Sequence, residues 1–184
     1  MKVHQWLLMA MVLLAAPALR AAPEFDVENI STRLEEGVFV TDADVAFRLS
    51  DKARDALLHG VLLTFVVEVG VRARDAWFWQ DDVARREARY TLKFRPLSDL
   101  YEVVDETTGA RQSFATGAAA LRTLGEIRAV ELVERDRLQA GQAYTARLRA
   151  YLDIEALPLP MRPLAYLSPA WRLSTGTIEW LLEP

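Results

Sequence analysis

Residues 63–72 read Leu-Thr-Phe-Val-Val-Glu-Val-Gly-Val-Arg, with Leu63, Phe65, Val67, Val69 and Val71 at every second place. Side chains on a strand point to opposite faces in turn. A period of two therefore gives one face to a core and the other to Thr64, Val66, Glu68, Gly70 and Arg72. Two further stretches repeat the pattern. Ala88, Tyr90, Leu92 and Phe94 alternate with Arg89, Thr91, Lys93 and Arg95. Tyr144, Ala146, Leu148, Ala150 and Leu152 alternate with Thr145, Arg147, Arg149, Tyr151 and Asp153. Ile178, Trp180 and Leu182 continue it near the end of the chain. One-sided strands of this kind belong to antiparallel sheets.

Working outward, Phe25–Leu34 and Val38–Leu49 flank Glu35-Glu36-Gly37, which reads as a hairpin turn. Apolar parity changes between Val38/Val40 and Val45/Phe47/Leu49, which predicts a bulge or bend near Thr41–Asp44. Leu100–Asp105 and Arg111–Phe114, joined through Thr107-Thr108-Gly109, read as a second hairpin. Two short helices interrupt the strands. Ser50 caps residues 51–59, Gly60 closes them, and Ala53, Leu57 and Leu58 form the inward stripe. Thr116 caps residues 117–126, with Ala120, Leu121 and Leu124 inward. The prolines of Leu157–Pro163 predict an extended, stiff crossing. The expected architecture is mainly β: an antiparallel two-sheet β-sandwich with two short helices, formed by residues 22–184 as one domain.

The first 21 residues read as a secretory signal peptide. Lys2 supplies the positive start, Trp6–Ala16 is an apolar run of 11 residues, and Pro17 breaks it before small residues. A spanning helix needs ~20 apolar residues, and an uncleaved anchor is the competing reading. The favoured cut follows Ala21, with Ala18 as the second choice. Cleavage after Ala21 removes Lys2, His4 and Arg20, taking the formal charge from −4 to −6. The expected location is the periplasm.

The chain contains no cysteine and two histidines, His4 and His59. That excludes a disulfide framework, a thiolate metal site and a cysteine nucleophile. His59, in the last turn of the first helix, complements the helix dipole. The glycines are scattered and form no phosphate loop, and the serines sit in no nucleophile elbow. Neither a cofactor nor a metal is expected. The negative charge argues against nucleic acid. Asp42/Asp44 and Asp81/Asp82 read as turn carboxylates; their chemical use would be a hydrolase or a calcium site.

The sharper features concern binding. Arg72, Arg74, Arg89, Lys93, Arg95, Arg147 and Arg149 fall on the polar faces of the expected strands. On neighbouring strands they make a guanidinium-rich surface for phosphate or carboxylate groups of a lipid, a glycan or an acidic partner. The ordinary use of such residues is cross-strand pairing with Glu68, Glu87, Glu102 and Asp153. Trp77-Phe78-Trp79 at a strand end either closes the end of the sandwich or meets a partner or a membrane surface.

Several motifs bear a likeness to a known family. They include Phe47-Arg-Leu-Ser50, Ala56-Leu-Leu-His-Gly60, Tyr90-x-Leu-x-Phe94 and Leu97-Ser-Asp-Leu-Tyr101. Ala119-Ala-Leu-Arg-x-Leu124, the Tyr144–Asp153 strand, Leu157-Pro-Leu-Pro-Met-Arg162 and Trp171-x-Leu-Ser174 complete the set. Together they resemble the exported proteobacterial domain-of-unknown-function family 4390. The resemblance carries no catalytic residues. It implies an envelope signalling partner, such as a membrane sensor kinase.

The functional expectation is an exported, non-enzymatic envelope protein that binds another envelope component or a sensor protein. Its surface is expected to be formed by Arg72, Arg74, Arg89, Lys93, Arg95, Arg147 and Arg149, with Trp77, Phe78 and Trp79 at the rim. The alternative is a carboxylate-dependent hydrolase of an envelope glycan or lipid. A third reading is a passive carrier of a hydrophobic ligand, which needs an apolar cavity between the sheets. Mass spectrometry of protein recovered from the envelope is expected to find Ala22 as the first residue, or Leu19 if the cut follows Ala18; a retained Met1 would make the segment an anchor.

Overall fold

The computed structural model describes residues 25–76 and 82–182. The leader reading, the Trp77–Trp79 cluster and Asp81 lie outside the described residues. Within them, strands β1 (Phe25–Glu35), β2 (Val38–Phe47) and β7 (Glu126–Glu134) form a small sheet in the order β1-β2-β7. A larger sheet has the order β6-β5-β4-β3-β8-β9, from β3 (Leu63–Ala73), β4 (Ala84–Arg95), β5 (Leu100–Asp105), β6 (Arg111–Phe114), β8 (Tyr144–Leu152) and β9 (Ser174–Leu182). Every pairing is antiparallel. The two sheets face each other over one core, in the sandwich arrangement that one-sided strands predict.

The period-two stretches land as the alternation requires. Leu63, Phe65, Val67, Val69 and Val71 are buried, as are Tyr144, Ala146, Leu148, Ala150 and Leu152. Phe65 stacks with Phe25 at 5.9 Å and meets Phe47 edge-on at 5.1 Å, tying the first strand of one sheet to the centre of the other. The β1–β2 turn has Glu36 and Gly37 both at positive φ, the two-residue geometry that suits the twist of a hairpin. Across the sandwich, Trp180 on β9 donates to Thr32 on β1 at 3.0 Å, and Thr32 shares a hydrogen bond with Thr41 on β2.

Thr41 corrects one expectation. β2 keeps a single parity from Phe39 to Phe47, and Thr41 fills an inward place at 0% exposure. Its hydroxyl donates to the Ser31 carbonyl, so a polar residue sits in the core with its bonding satisfied. A register shift does fall at Thr41/Ala43, within the expected stretch, but its extra residue lies on β7; the others fall opposite Phe39/Val40 on β7 and near Glu28 on β1. One β7 shift coincides with Ala129, at φ 52.

Helix α1 (Asp51–Leu58) starts where Ser50 Oγ accepts from the Ala53 amide, and Gly60 follows its end at φ 85. Ala53, Ala56 and Leu57 are its buried residues; Leu58 is exposed, contrary to expectation. Helix α2 (Gly117–Gly125) begins with Thr116 Oγ1 accepting from Ala119. A third short helix, α3 (Arg162–Leu167), takes the place of the extended crossing expected from the prolines. The error is physical: Pro160 and Pro163 occupy the first turns of a 3₁₀ segment and of α3, where a missing N–H costs nothing.

Both α1 and α3 lie at the end of the sandwich where β1 begins, β2 ends and β3 begins. Ser50 Oγ, at the start of α1, donates to the Ala170 carbonyl beyond α3. The buried apolar residues of both sheets and of α1–α3 join in one core cluster. Phe65→Ala is expected to cost ~3–5 kcal/mol by removing the ring at the centre of the aromatic cluster. Leu97→Ala, at a fully exposed side chain, should stay within about 0.5 kcal/mol of the parent in denaturant midpoints.

Candidate functional site

The outer face of the large sheet collects the expected cations. Register places Arg89 opposite Val66, Arg149 opposite Glu68, Arg147 opposite Gly70 and Arg72 opposite Thr145. Arg72, Arg89, Arg147 and Arg149 thus share one face on three adjacent strands. Lys93 and Arg95 lie farther along β4, and Arg74 just beyond β3. Trp77, Phe78 and Trp79 lie outside the described residues.

Carboxylates interleave with these cations. Arg89 binds Asp153, Glu87 and Glu106; Arg147 binds Asp82; Arg95 binds Glu102, which Arg111 also reaches at 3.3 Å. Arg85, which periodicity did not single out, meets Glu68 at 3.0 Å. Gly70 leaves room for this lattice. A Cβ there would sit 3.2 Å from both Arg147 Nε and an Asp82 oxygen, so the missing side chain is the space the pair occupies. Glu68 also accepts from the Tyr151 hydroxyl, over whose ring the Arg149 guanidinium lies at 4.8 Å. Burial and the neighbouring Glu68 push the Tyr151 hydroxyl up to about 12, keeping it a donor. The face is therefore a mixed-charge lattice. It also seals Val66, which points away from the core yet is 0% exposed.

The carboxylate pairs are separated. Asp42 and Asp44 lie within β2, not in a turn, and face outward from the small sheet. Asp42 accepts from the Ala129 amide and pairs with Arg33; Asp44 pairs with Arg128 at 2.5 Å. The Ala129 amide first, and then Arg33, hold the Asp42 carboxyl below its ordinary range against the cost of burial. Asp82 lies against the outside of the other sheet, so the described members of the two pairs do not converge. His59 is the cap residue after α1, exposed, with Nδ1 near the Asp55 carboxylate at 3.4 Å. Among the described residues no group of three His, Asp or Glu side chains could hold a metal ion.

A different feature emerges on the inner side. Three strands cannot cover six. β1 packs on β9 and β7 on β3 and β4, while α2 packs on β5 and β6. Between β7 and the β5–β6 turn a groove of about 620 Å³ remains. Ala88 and Tyr90 line it from β4, Ile127 and Val130 from β7, and Thr107 and Thr108 from the turn. Arg86, Glu87, Asp105 and Glu131 supply its charge, one cation against three carboxylates. The Asp105 carboxyl, though its burial opposes ionisation, is lowered by the amides of Thr107 and Thr108. Burial, then Asp105, raises the Tyr90 hydroxyl. One signal of the groove was in the sequence: Arg86 continues the inward parity of Ala88, Tyr90 and Leu92, and an arginine in inward register marks a stretch that the opposite sheet leaves bare.

A family model described as a domain of unknown function, DUF4390, matches residues 22–181. The chain belongs to this family. No curated protein and no solved structure matches it. The DUF4390 match spans both sheets, the lattice and the groove together.

Glu102 gives the lattice a pH signature. The Arg95 guanidinium, and then Arg111 and Lys93, hold its carboxyl below the ordinary carboxylate range despite burial. A depressed folded value stabilises the protein above the unfolded pKa of about 4.3, and that contribution is lost as pH falls through the folded value. Glu102→Gln is expected to lower Tm at neutral pH. The gap from the parent should narrow as melting is followed by circular dichroism into the acid range.

Proposed function

We propose that this DUF4390 protein is an exported component of the cell envelope that acts by binding, not by catalysis, and that it receives a segment of another envelope protein in the groove beside β7. The observation that carries this reading is the partly uncovered stretch of β4's inner face from Arg86 to Tyr90. Ala88 and Tyr90 form an apolar floor, Arg86 stands against the carboxylates of Glu87, Asp105 and Glu131, and the groove is within the usual size of a ligand site. Apolar surface of this kind gains from burial, and flanking charges select what is buried. The spent state of the carboxylates on both outer faces supports binding over hydrolysis. The leader-like residues 1–21 support export.

β7 carries two register shifts and the left-handed Ala129, features that bend an edge strand and discourage ladder formation. The partner segment is therefore held by side-chain contacts, not as an added strand. The mixed-charge outer face, on which Arg74, Lys93 and Arg149 form no ion pair among the described residues, is a secondary contact region. A membrane sensor protein fits as the partner class on the family resemblance alone.

Photo-crosslinking residues placed in cells at Ala88, Thr108 and Glu131 are expected to yield an adduct with one envelope protein, absent from Ser31 on the far face. Ala88→Trp, which fills the floor, should abolish the adduct while Tm is kept. Adducts of equal yield from Ser31, or adducts that survive Ala88→Trp, would defeat the reading.

A further inference from the structure

The chain leaves β8 at Leu152 and returns at Ser174 through a segment anchored by buried Leu157, Ala165, Trp171 and Leu173. Its outer side is different. Leu159, Leu164 and Leu167 are 73%, 71% and 79% exposed, a ridge of leucines beside a hollow of about 410 Å³ over Met161 and Trp171. Isolated surface leucines need no explanation, but three on one short segment, with Leu58 and Leu62 half-exposed at the same end, form a patch that water does not favour.

The charge around the ridge is cationic. Lys52 Nζ lies 3.5 Å from Ser168 Oγ, Arg162 Nε donates to the Leu157 carbonyl at 2.8 Å, and Arg172 donates to the Tyr166 carbonyl at 2.9 Å. Neutral oxygens orient all three, and none takes part in an ion pair among the described residues. Of the nearby carboxylates, Glu155 accepts from Tyr166, Asp51 pairs with Arg54 and Asp153 with Arg89. A chain of net charge −4 thus sets three cations around these exposed leucines.

Position adds a second argument. Phe25, the first described residue, packs on Phe47 at 4.8 Å, at the same end as α1 and α3. Residues 17–24 separate Phe25 from the apolar run Trp6–Ala16. Eight residues span at most roughly 29 Å. Until the leader is cut, the run in a bilayer holds this end of the sandwich close to the surface as the chain folds.

We infer that the leucine ridge of Leu159, Leu164 and Leu167 docks on an anionic phospholipid bilayer, with Lys52, Arg162 and Arg172 facing the headgroups. Binding of this kind grows with buried apolar area and with attraction to anionic lipid. It is independent of the groove beside β7.

Residues 22–184, which lack the apolar run, are tested by flotation with vesicles of phosphatidylglycerol and phosphatidylethanolamine, and with phosphatidylcholine vesicles. The protein is expected to float with the first and not the second, and to be released by salt. Leu164→Ser/Leu167→Ser should weaken partitioning about tenfold or more, with Tm unchanged. Lys52→Gln/Arg172→Gln should weaken it and flatten the salt dependence, while Ala88→Trp binds as the parent does. No flotation of the parent, equal flotation with phosphatidylcholine, or loss in Ala88→Trp would overturn the inference. So would a parent dimer, seen by sedimentation, that the Leu164→Ser/Leu167→Ser change dissolves, since the ridge would then belong to a second copy.

Discussion

A three-stranded sheet laid on a six-stranded one cannot cover the whole of the larger inner face, and the molecule is organised around that shortfall. β1 and β7 set the limits of cover: β1 reaches β9 through the Trp180–Thr32 bond, and β7 ends over β3 and β4. Helices α1 and α2 pack onto what remains, α1 on β4 and α2 on β5 and β6. Gly125 shows how tightly α2 is set. A Cβ there would lie 1.9 Å from the Val45 carbonyl oxygen, so no other residue fits without backbone movement. Where neither helix reaches, the stretch of β4 from Arg86 to Tyr90 stays open beside β7, and the groove is the residue of an incomplete sandwich.

The same economy governs the outer face. A central strand flanked on both sides normally shows water one polar face, but β3 is buried along most of its length, including outward Val66 and Thr64. Long arginines lie across it and keep their charged ends paired. Exposed pairs of this kind contribute little stability singly, and their stems cover apolar surface as much as their charges attract. That makes the lattice a structural lid first. A partner that docked on it would have to exchange existing pairs, whereas the groove offers apolar surface with no prior occupant.

Period, caps and turns were legible because each is a local rule. Phe65 and its odd-numbered neighbours, Ser50, Thr116 and Gly37 all act within a few residues of themselves. Thr41 misled because a hydroxyl reads as outward until a carbonyl, here that of Ser31, is known to be waiting inside. The Leu157–Pro163 stretch misled because proline forbids a helix interior yet suits its first turn, and only the fold decides which position it holds. Asp42 and Asp44 looked like turn residues for the same reason: their arginine partners, Arg33 and Arg128, are a hairpin and a sheet neighbour away. Strand order, and with it the meeting of Arg89 with Asp153 and Arg147 with Asp82, depends on contacts that no periodicity carries.

The geometry joins the two proposals into one arrangement. Strands advance roughly 3.3 Å per residue, so the part of β3 that lines the groove, Val67 and Val69, lies roughly 13–20 Å along the strand from Leu63 at the leucine-bearing end. With the ridge against a bilayer and the strands rising from it, the groove opens on the flank at about that height. A segment placed there must belong to something that is itself held close to the membrane, such as the stretch just outside a spanning helix. Docking by the ridge would also confine the search for that segment to two dimensions and raise its effective concentration, so a shallow groove with few polar anchors would suffice. The hollow beside the leucines and the groove share no lining residue, which lets both contacts be made at once.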